Sequence, residues 1–422
     1  MKRVLIIFIF LPFLMQAVLC RAEEYADEGL YPVLKLERLV EIALKENHDL
    51  LMARSGIYIS EYRIPQAGAL PDPMVMIGYE NEGWSRYTYG EMPGARWILG
   101  VSQMFSWPGK LSAKEGSAKK EAEASKSAYE KIRLNVIEEL KVKYYELLFA
   151  YKSLDSIAEK IKLLERIEEI AGSRYSSGMA PLAEVIMAQT EKYMAMEQEI
   201  MYRQKIKALE AMINSLTGRE PSSPLGIPEE RFTEKKEPEE SGLFEIAMDS
   251  PDIKEIKNLI EAREYKFKGA RLEYYPDLTL SAEVSLKPEP YEDMWMLSIS
   301  FNIPLFYRTK QRNMVLEAKA ERDEAQHRLE ALKQMLRANI IDTLSMLRAS
   351  EELIGLYRDA FIPKAEQGLE VSLSAYRTGK IELTQVIKAA NSLIDYRLNY
   401  WRQVIEREKI LARLERLCGG RI

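Results

Sequence analysis

The stretch "LTLSAEVSLKPEPYEDMWMLSISFNI" (residues 278–303) decides the fold. Leu278, Leu280, Ala282, Val284 and Leu286 point one way, and Thr279, Ser281, Glu283 and Ser285 the other. After a turn rich in proline and charge, Trp295, Leu297, Ile299, Phe301 and Ile303 oppose Met296, Ser298, Ser300 and Asn302. Side chains alternate faces along a strand, so this period of two predicts two amphipathic strands. A second pair lies in the first half of the chain. There Trp97, Leu99, Val101 and Phe105 oppose Gly100 and Ser102, and Val75, Ile77 and Tyr79 form the fourth apolar row.

Each strand has about the length that crosses a bilayer when tilted, roughly 9–10 residues. Trp97, Trp295, Tyr79, Phe301 and Phe105 sit toward segment ends, where membrane strands carry interfacial aromatics. The polar loop 81–96 suits an outer face. A half-buried soluble sheet shares the alternation, so the pattern alone leaves both readings open. Read as membrane strands, Trp97, Leu99, Val101, Leu280, Val284, Leu297, Ile299 and Phe301 face lipid. Four strands cannot close a barrel, because the smallest membrane barrels have about eight. An open edge is not tolerated in lipid. Membrane strands therefore predict an oligomer.

The strands alternate with long helical segments. Residues 108–172 contain no proline after Pro108 and few glycines. At about 1.5 Å per residue such a helix extends on the order of 100 Å. Residues 305–375 read as its counterpart, with Pro363 as a bend or joint. Return helices are expected over about 180–217 and 381–418. Leu140, Tyr144, Leu147, Tyr151, Leu154, Ala158 and Ile161 alternate spacings of four and three. Leu336, Ile340, Thr343, Leu347, Ser350, Ile354, Tyr357 and Phe361 do the same. Both rows read as heptad seams. Gly178 and Gly379, in "RYSSGMAP" and "YRTGKIE", fit the left-handed residue after a helix.

The chain repeats itself. "VEIALKENHDLLMA" (40–53) resembles "FEIAMDSPDIKEI" (244–256), and "LPDPMVMIGYE" (70–80) resembles "YPDLTLSAEV" (275–284). "RYSSG" (174–178) resembles "AYRTG" (375–379), and "NSLTG" (214–218) resembles "ERLCG" (415–419). Non-helical landmarks recur in the same order, which chance likeness between helices does not produce. The 422 residues, which by length alone suggest two or three domains, thus read as two copies of one unit. The first covers 23–218, with hairpin strands at about 74–106. The second covers 242–422, with strands at about 278–303. The proline-rich, charged stretch 219–241 reads as a surface linker.

Residues 1–22 read as a cleaved signal peptide. Lys2 and Arg3 precede an apolar run from Val4 to Leu19, small residues follow, and the chain turns acidic at Glu23. Cys20 raises lipidation, but bulky Leu19 before it makes a poor lipoprotein signal. Cleavage removes Lys2, Arg3 and Arg21, taking the net charge from −5 to −8. An acidic chain argues against nucleic acid as a partner.

With two histidines, His48 and His327, and two cysteines, no zinc site or catalytic triad is supported. No phosphate-binding loop or nucleophile elbow occurs. No enzymatic activity, cofactor or metal site is expected. Met187, Met194 and Met201, seven apart, read as adaptable seam packing.

The order and spacing of several motifs resemble the TolC-like outer-membrane efflux proteins. The carrying residues are "LKLERLVEIALKENHDL" (34–50), "AGALPDP" (67–73), "SQMFSWPGKLSAK" (102–114), the Tyr-x-x-Gly turns at 175–178 and 376–379, and the duplication. The likeness covers nearly the whole mature chain. "AGALPDP" and "WPGK" resemble the cobalt-zinc-cadmium branch. The resemblance implies a mainly α fold with a small β part. Coiled-coil helices would form an α-barrel, and trimerisation would close the membrane strands into a barrel. It implies a homotrimer in the outer membrane with a long periplasmic portion. Such a trimer would be a passive exit duct for an inner-membrane pump of the proton-driven type and a periplasmic adaptor. Adaptor docking would fall at the helical tips, around Tyr175, Gly178, Tyr376 and Gly379.

Family members often carry two aspartates after the second tip. Here the matching positions hold Gln385 and Lys388, and the first-half counterparts hold Glu184 and Met187. A ring of Lys388 would favour anions at a tunnel constriction. Pairing of Lys388 with Glu184 or Glu382, or simple solvation, is the plainer alternative. A duct for protein secretion, or a periplasmic coiled-coil scaffold without a pore, remains the competing function.

Overall fold

The computed structural model describes residues 33–232 and 239–421. The expected signal peptide and Cys20 lie outside the described residues. Each half of the chain runs through the same element order. The first half contains β1 (Val33–Leu34), α1 (Leu36–Glu46), α2 (His48–Gly68), β2 (Met74–Glu80), β3 (Arg96–Phe105), α3 (Lys110–Ser176) and α4 (Leu182–Leu216). The second contains β4 (Ile227–Pro228), α5 (Glu240–Ala247), α6 (Pro251–Leu272), β5 (Leu278–Leu286) and β6 (Met294–Phe301). It continues with α7 (Gln311–Leu356), α8 (Ile362–Arg377) and α9 (Leu383–Leu417).

The chain divides into two compact units. One comprises residues 52–131 and 248–336 and holds the four-stranded sheet, in the order β2-β3-β5-β6. All pairings are antiparallel. The register aligns the apolar residues across the strands. Ile77, Leu99, Val284 and Trp295 form one row, and Val75, Val101, Ala282 and Leu297 the next. The opposite face carries rows such as Met74, Ser102, Ser281 and Ser298. In this unit the helices approach closely through small residues. A Cβ on Gly116 would come within 2.6 Å of the Tyr265 ring. Lys110 is buried and held by Glu273 and Asp277 at 3.2 and 3.0 Å.

The loop between β2 and β3 is folded around one amide. Asn81 Oδ1 accepts from the Thr88 amide, the Thr88 hydroxyl and the Tyr79 hydroxyl at 2.9, 2.9 and 2.7 Å. Its Nδ2 donates to the carbonyls of Gly83 and Arg86 at 2.8 and 2.9 Å. Trp84 stands fully exposed at the tip.

Among the described residues, the other unit comprises 33–51, 132–232, 239–247 and 337–421. Its core follows the heptad rows: Leu140, Tyr144 and Leu147, and Ile340, Thr343 and Leu347, are all buried. The stretch expected to be a surface linker includes the two-residue β4, which pairs in parallel with β1. The Tyr144 hydroxyl donates to the carbonyls of Leu34 and Glu229, pinning both segments at 2.9 and 3.0 Å. Asn47 joins the end of the first half to its start. Its Oδ1 accepts from the amides of Asp49 and Leu50, and its Nδ2 donates to Leu216 O at 2.9 Å.

The expected second long helix starts later than residue 305 and is not uniform. Tyr357–Phe361 is a π-helical turn between α7 and α8. Pro363 explains it. Proline has no N–H to donate, and its ring crowds the carbonyl four residues back. The helix widens there, and the Ile362 amide reaches back to Tyr357 O.

Candidate functional site

Two features of the fold present surfaces that the single chain does not use. The first is the sheet. Leu99, Val101, Leu280, Val284, Leu297, Ile299 and Phe301 are all exposed, as is Trp97. Leu297, Ile299 and Phe301 keep 60–63% of their area accessible. Burying such rows is worth about 25 cal/mol per Å², and this chain leaves that unrealised. β2 and β6 each have one unpaired edge within the chain. No described helix is long and apolar enough to cross a membrane.

The second feature is the pair of helical tips, both in the unit without the sheet. α3 closes at Gly178 (φ +71°) and α8 at Gly379 (φ +76°). Gly178 N donates to Tyr175 O and Met179 N to Arg174 O, at 2.9 and 2.8 Å. Gly379 N and Lys380 N repeat the pattern on Tyr376 O and Ala375 O, at 3.0 and 2.9 Å. These are glycine-terminated helix caps, and only glycine holds their left-handed backbone without strain.

The two tips are locked together. Arg174 donates to Tyr376 O and Met179 O, and its guanidinium carbon lies 4.3 Å from the centre of the Tyr376 ring. The Tyr376 hydroxyl donates to Glu184 Oε2 at 2.6 Å. Burial pushes the phenol pKa up, and the Glu184 carboxylate adds to this, while Arg174 opposes it. Tyr376 joins a core with Leu164, Ile167, Ala188, Leu383 and Val386.

This corrects one expectation. Tyr175 and Tyr376 occupy matching positions of the repeat, and both were expected at the docking surface. Tyr175 is 47% exposed, whereas Tyr376 is fully buried. Arg174 precedes Tyr175, but its counterpart Ala375 carries no charge. The cation that covers one tyrosine therefore has no equivalent over the other. Arg174 was not anticipated as a tip residue; the signal that could have found it is its own charge beside one copy of the turn.

Glu184, expected near a constriction, is engaged by Tyr376 rather than by Lys388. Gln385 and Lys388 are exposed, one helical turn apart on α9. Among the described residues Lys388 has no ion-pair partner. Met187 is exposed, as are Met194 and Met201, so this stripe does not pack within the chain as expected of a seam. Ile186, Tyr193 and Ile200 extend the exposed apolar face of α4.

A duplicated unit with an open antiparallel sheet and paired long helices is the fold of solved outer-membrane channels. The model of the outer membrane efflux protein family matches residues 39–219 and 245–420. The chain belongs to that family. Its relatives include the cobalt-zinc-cadmium resistance protein CzcC of Cupriavidus metallidurans, 21% identical over 394 residues, covering 92% of this chain and 90% of the relative. The cation efflux system protein CusC of Escherichia coli K12 is 20% identical over 88% of this chain and 84% of its own. A solved structure of CusC superposes with a TM-score of 0.80 at 16% identity, covering 91% of this chain and 92% of that one. The outer membrane protein VceC of Vibrio cholerae gives 0.78 at 20% identity, over 91% and 96%.

Proposed function

We propose that three copies of this chain form the outer-membrane exit duct of a tripartite efflux system. The observation that carries the reading is the open sheet with its aligned, exposed apolar rows. Four antiparallel strands leave β2 and β6 running in opposite directions, so β2 of one copy can continue the antiparallel order beside β6 of another. Three copies give twelve strands, above the minimum of about eight for a membrane barrel. The exposed apolar face of α4 offers a further seam between copies.

On this reading the duct is passive. An inner-membrane pump supplies energy, and a periplasmic adaptor docks at the tips around Tyr175, Gly178 and Gly379, with Tyr376 bracing them from within. CzcC and CusC are named for metal resistance and cation efflux, which makes heavy-metal cations the cargo class here, against the anion preference that a Lys388 ring would impose at the entrance. A Lys388 ring with Gln385, Glu184 and Met187 nearby would set the charge of the tunnel entrance. The test is native mass measurement in detergent together with planar-bilayer conductance. A trimer with ohmic conductance is expected; a monomer without conductance would overturn the proposal.

A further inference from the structure

The face of the sheet opposite the apolar rows is unusual in its donors. Met74 and Met76 lie two apart on β2, and Met294 and Met296 two apart on β6. The register puts all four on the same face, together with Met104 of β3. The remaining positions there are mostly small or hydroxylic: Gly100, Ser102, Thr279, Ser281, Ser298 and Ser300. Met74, Met76, Met294 and Met296 are all at least half exposed. The Met76 methyl lies over Gly100, where a Cβ would come within 3.3 Å of it, yet all four thioethers stay open to solvent in the single chain.

Residues two apart on a strand are separated by about 6.5–7 Å. Two methionine side chains can span that gap and bring both sulfurs to one ion. Thioethers select soft monovalent cations such as Cu(I) and reject hard ones. A carboxylate stands beside one pair. Glu283 is directly opposite Met296, and the row reads Met76, Gly100, Glu283, Met296. Glu283 is half-buried and has no ion-pair partner among the described residues. It supplies negative charge next to the sulfurs. The described residues hold no cluster of three or more His, Cys, Asp or Glu, so a hard or borderline cation finds no comparable site.

We propose that the two Met-x-Met pairs, Met74/Met76 and Met294/Met296 with Glu283, are weak binding sites for soft monovalent cations on the pore wall. Within the duct reading, on which this rests, they would make Cu(I)-class ions a cargo that the wall itself recognises. Exposed, two-sulfur sites release their ion readily, as a conduit requires.

The experiment uses the processed chain, without residues 1–22 and so without Cys20, in detergent with Cys418→Ser, because a thiol outcompetes thioethers. Ag(I), as nitrate, is the probe in equilibrium dialysis. The paired substitutions M74L/M76L and M294L/M296L keep side-chain volume close to the original. Each is expected to remove one bound Ag(I) per chain, and E283Q to weaken binding at the second pair only. Zn(II) should not bind at these sites. Unchanged Ag(I) stoichiometry in both leucine variants, or no Ag(I) binding by the parent, overturns the proposal. Planar-bilayer conductance of the same preparations is measured without Ag(I). Its absence would sink the duct reading while leaving the dialysis result for the methionines intact.

Discussion

The Tyr376 hydroxyl donates to Glu184 at 2.6 Å, joining residues 192 apart in sequence. The bond runs between the two halves of the repeat. Tyr376→Phe deletes it and leaves the ring in its core. A hydrogen bond to a charged group is worth about 1.5 kcal/mol at its lower end. Thermal unfolding should therefore show a loss of that size. Glu184→Gln, which can still accept, should lose less.

Stability should fall at high pH. The Tyr144 phenol is pushed from 10.0 to about 12, chiefly by burial. A group whose pKa is raised by folding contributes fully below its unfolded value. That contribution is lost as pH rises toward the folded one. The Tyr144 contribution to unfolding free energy should be level below about pH 10 and decline between there and about 12. Tyr144→Phe should be less stable at neutral pH, by about 1 kcal/mol, and decline less steeply. Chemical denaturation across this range checks it.

The helix-end glycines should differ in their tolerance of alanine. A Cβ at Gly178 would meet open space, so Gly178→Ala costs only backbone strain, about 1–2 kcal/mol. At Gly218, also left-handed, a Cβ would meet Glu46 O at 2.7 Å. Gly218→Ala should be the more damaging, because a backbone atom cannot move aside. Paired melting curves would settle the order.

The two faces of β6 should respond oppositely to charge. Ile299→Lys puts an ammonium in the apolar row, at a cost of about 2–4 kcal/mol if it lies at mid-bilayer. Ser298→Lys places the same charge among Ser281 and its neighbours. Yield of heat-resistant oligomer from outer membranes should drop for the first and hold for the second.

Lys388 should set ion preference if it lines the entrance. Lys388→Asp should raise cation over anion conductance in bilayers. Unaltered reversal potentials under a salt gradient would remove Lys388 from the pore.

What was legible in the sequence was what repeats locally. The alternation at 278–303 locates β5 and β6, and the spacing of Leu140, Tyr144 and Leu147 marks a buried seam, because period alone sorts faces. Gly178 and Gly379 mark the helix ends through their backbone freedom. The differing fates of Tyr175 and Tyr376 were not legible. They depend on Arg174 reaching across to the other tip. The short pairing of Ile227–Pro228 with Val33–Leu34 was hidden for the same reason, as its partner lies far away in the chain. The π-helical turn was half visible: Pro363 announced a disturbance but not its form.

The even number of strands has a consequence for what the outside world can touch. Because the chain enters and leaves the sheet at the same end, both hairpin turns, 81–95 and 287–293, lie at the other. In the proposed duct, an antibody or a phage tail arriving from the medium would meet little else. Escape variants should therefore gather in these two loops. Within the first they should fall on Trp84, whose side chain stands clear of the loop. They should spare Asn81 and Thr88, on which its folding depends.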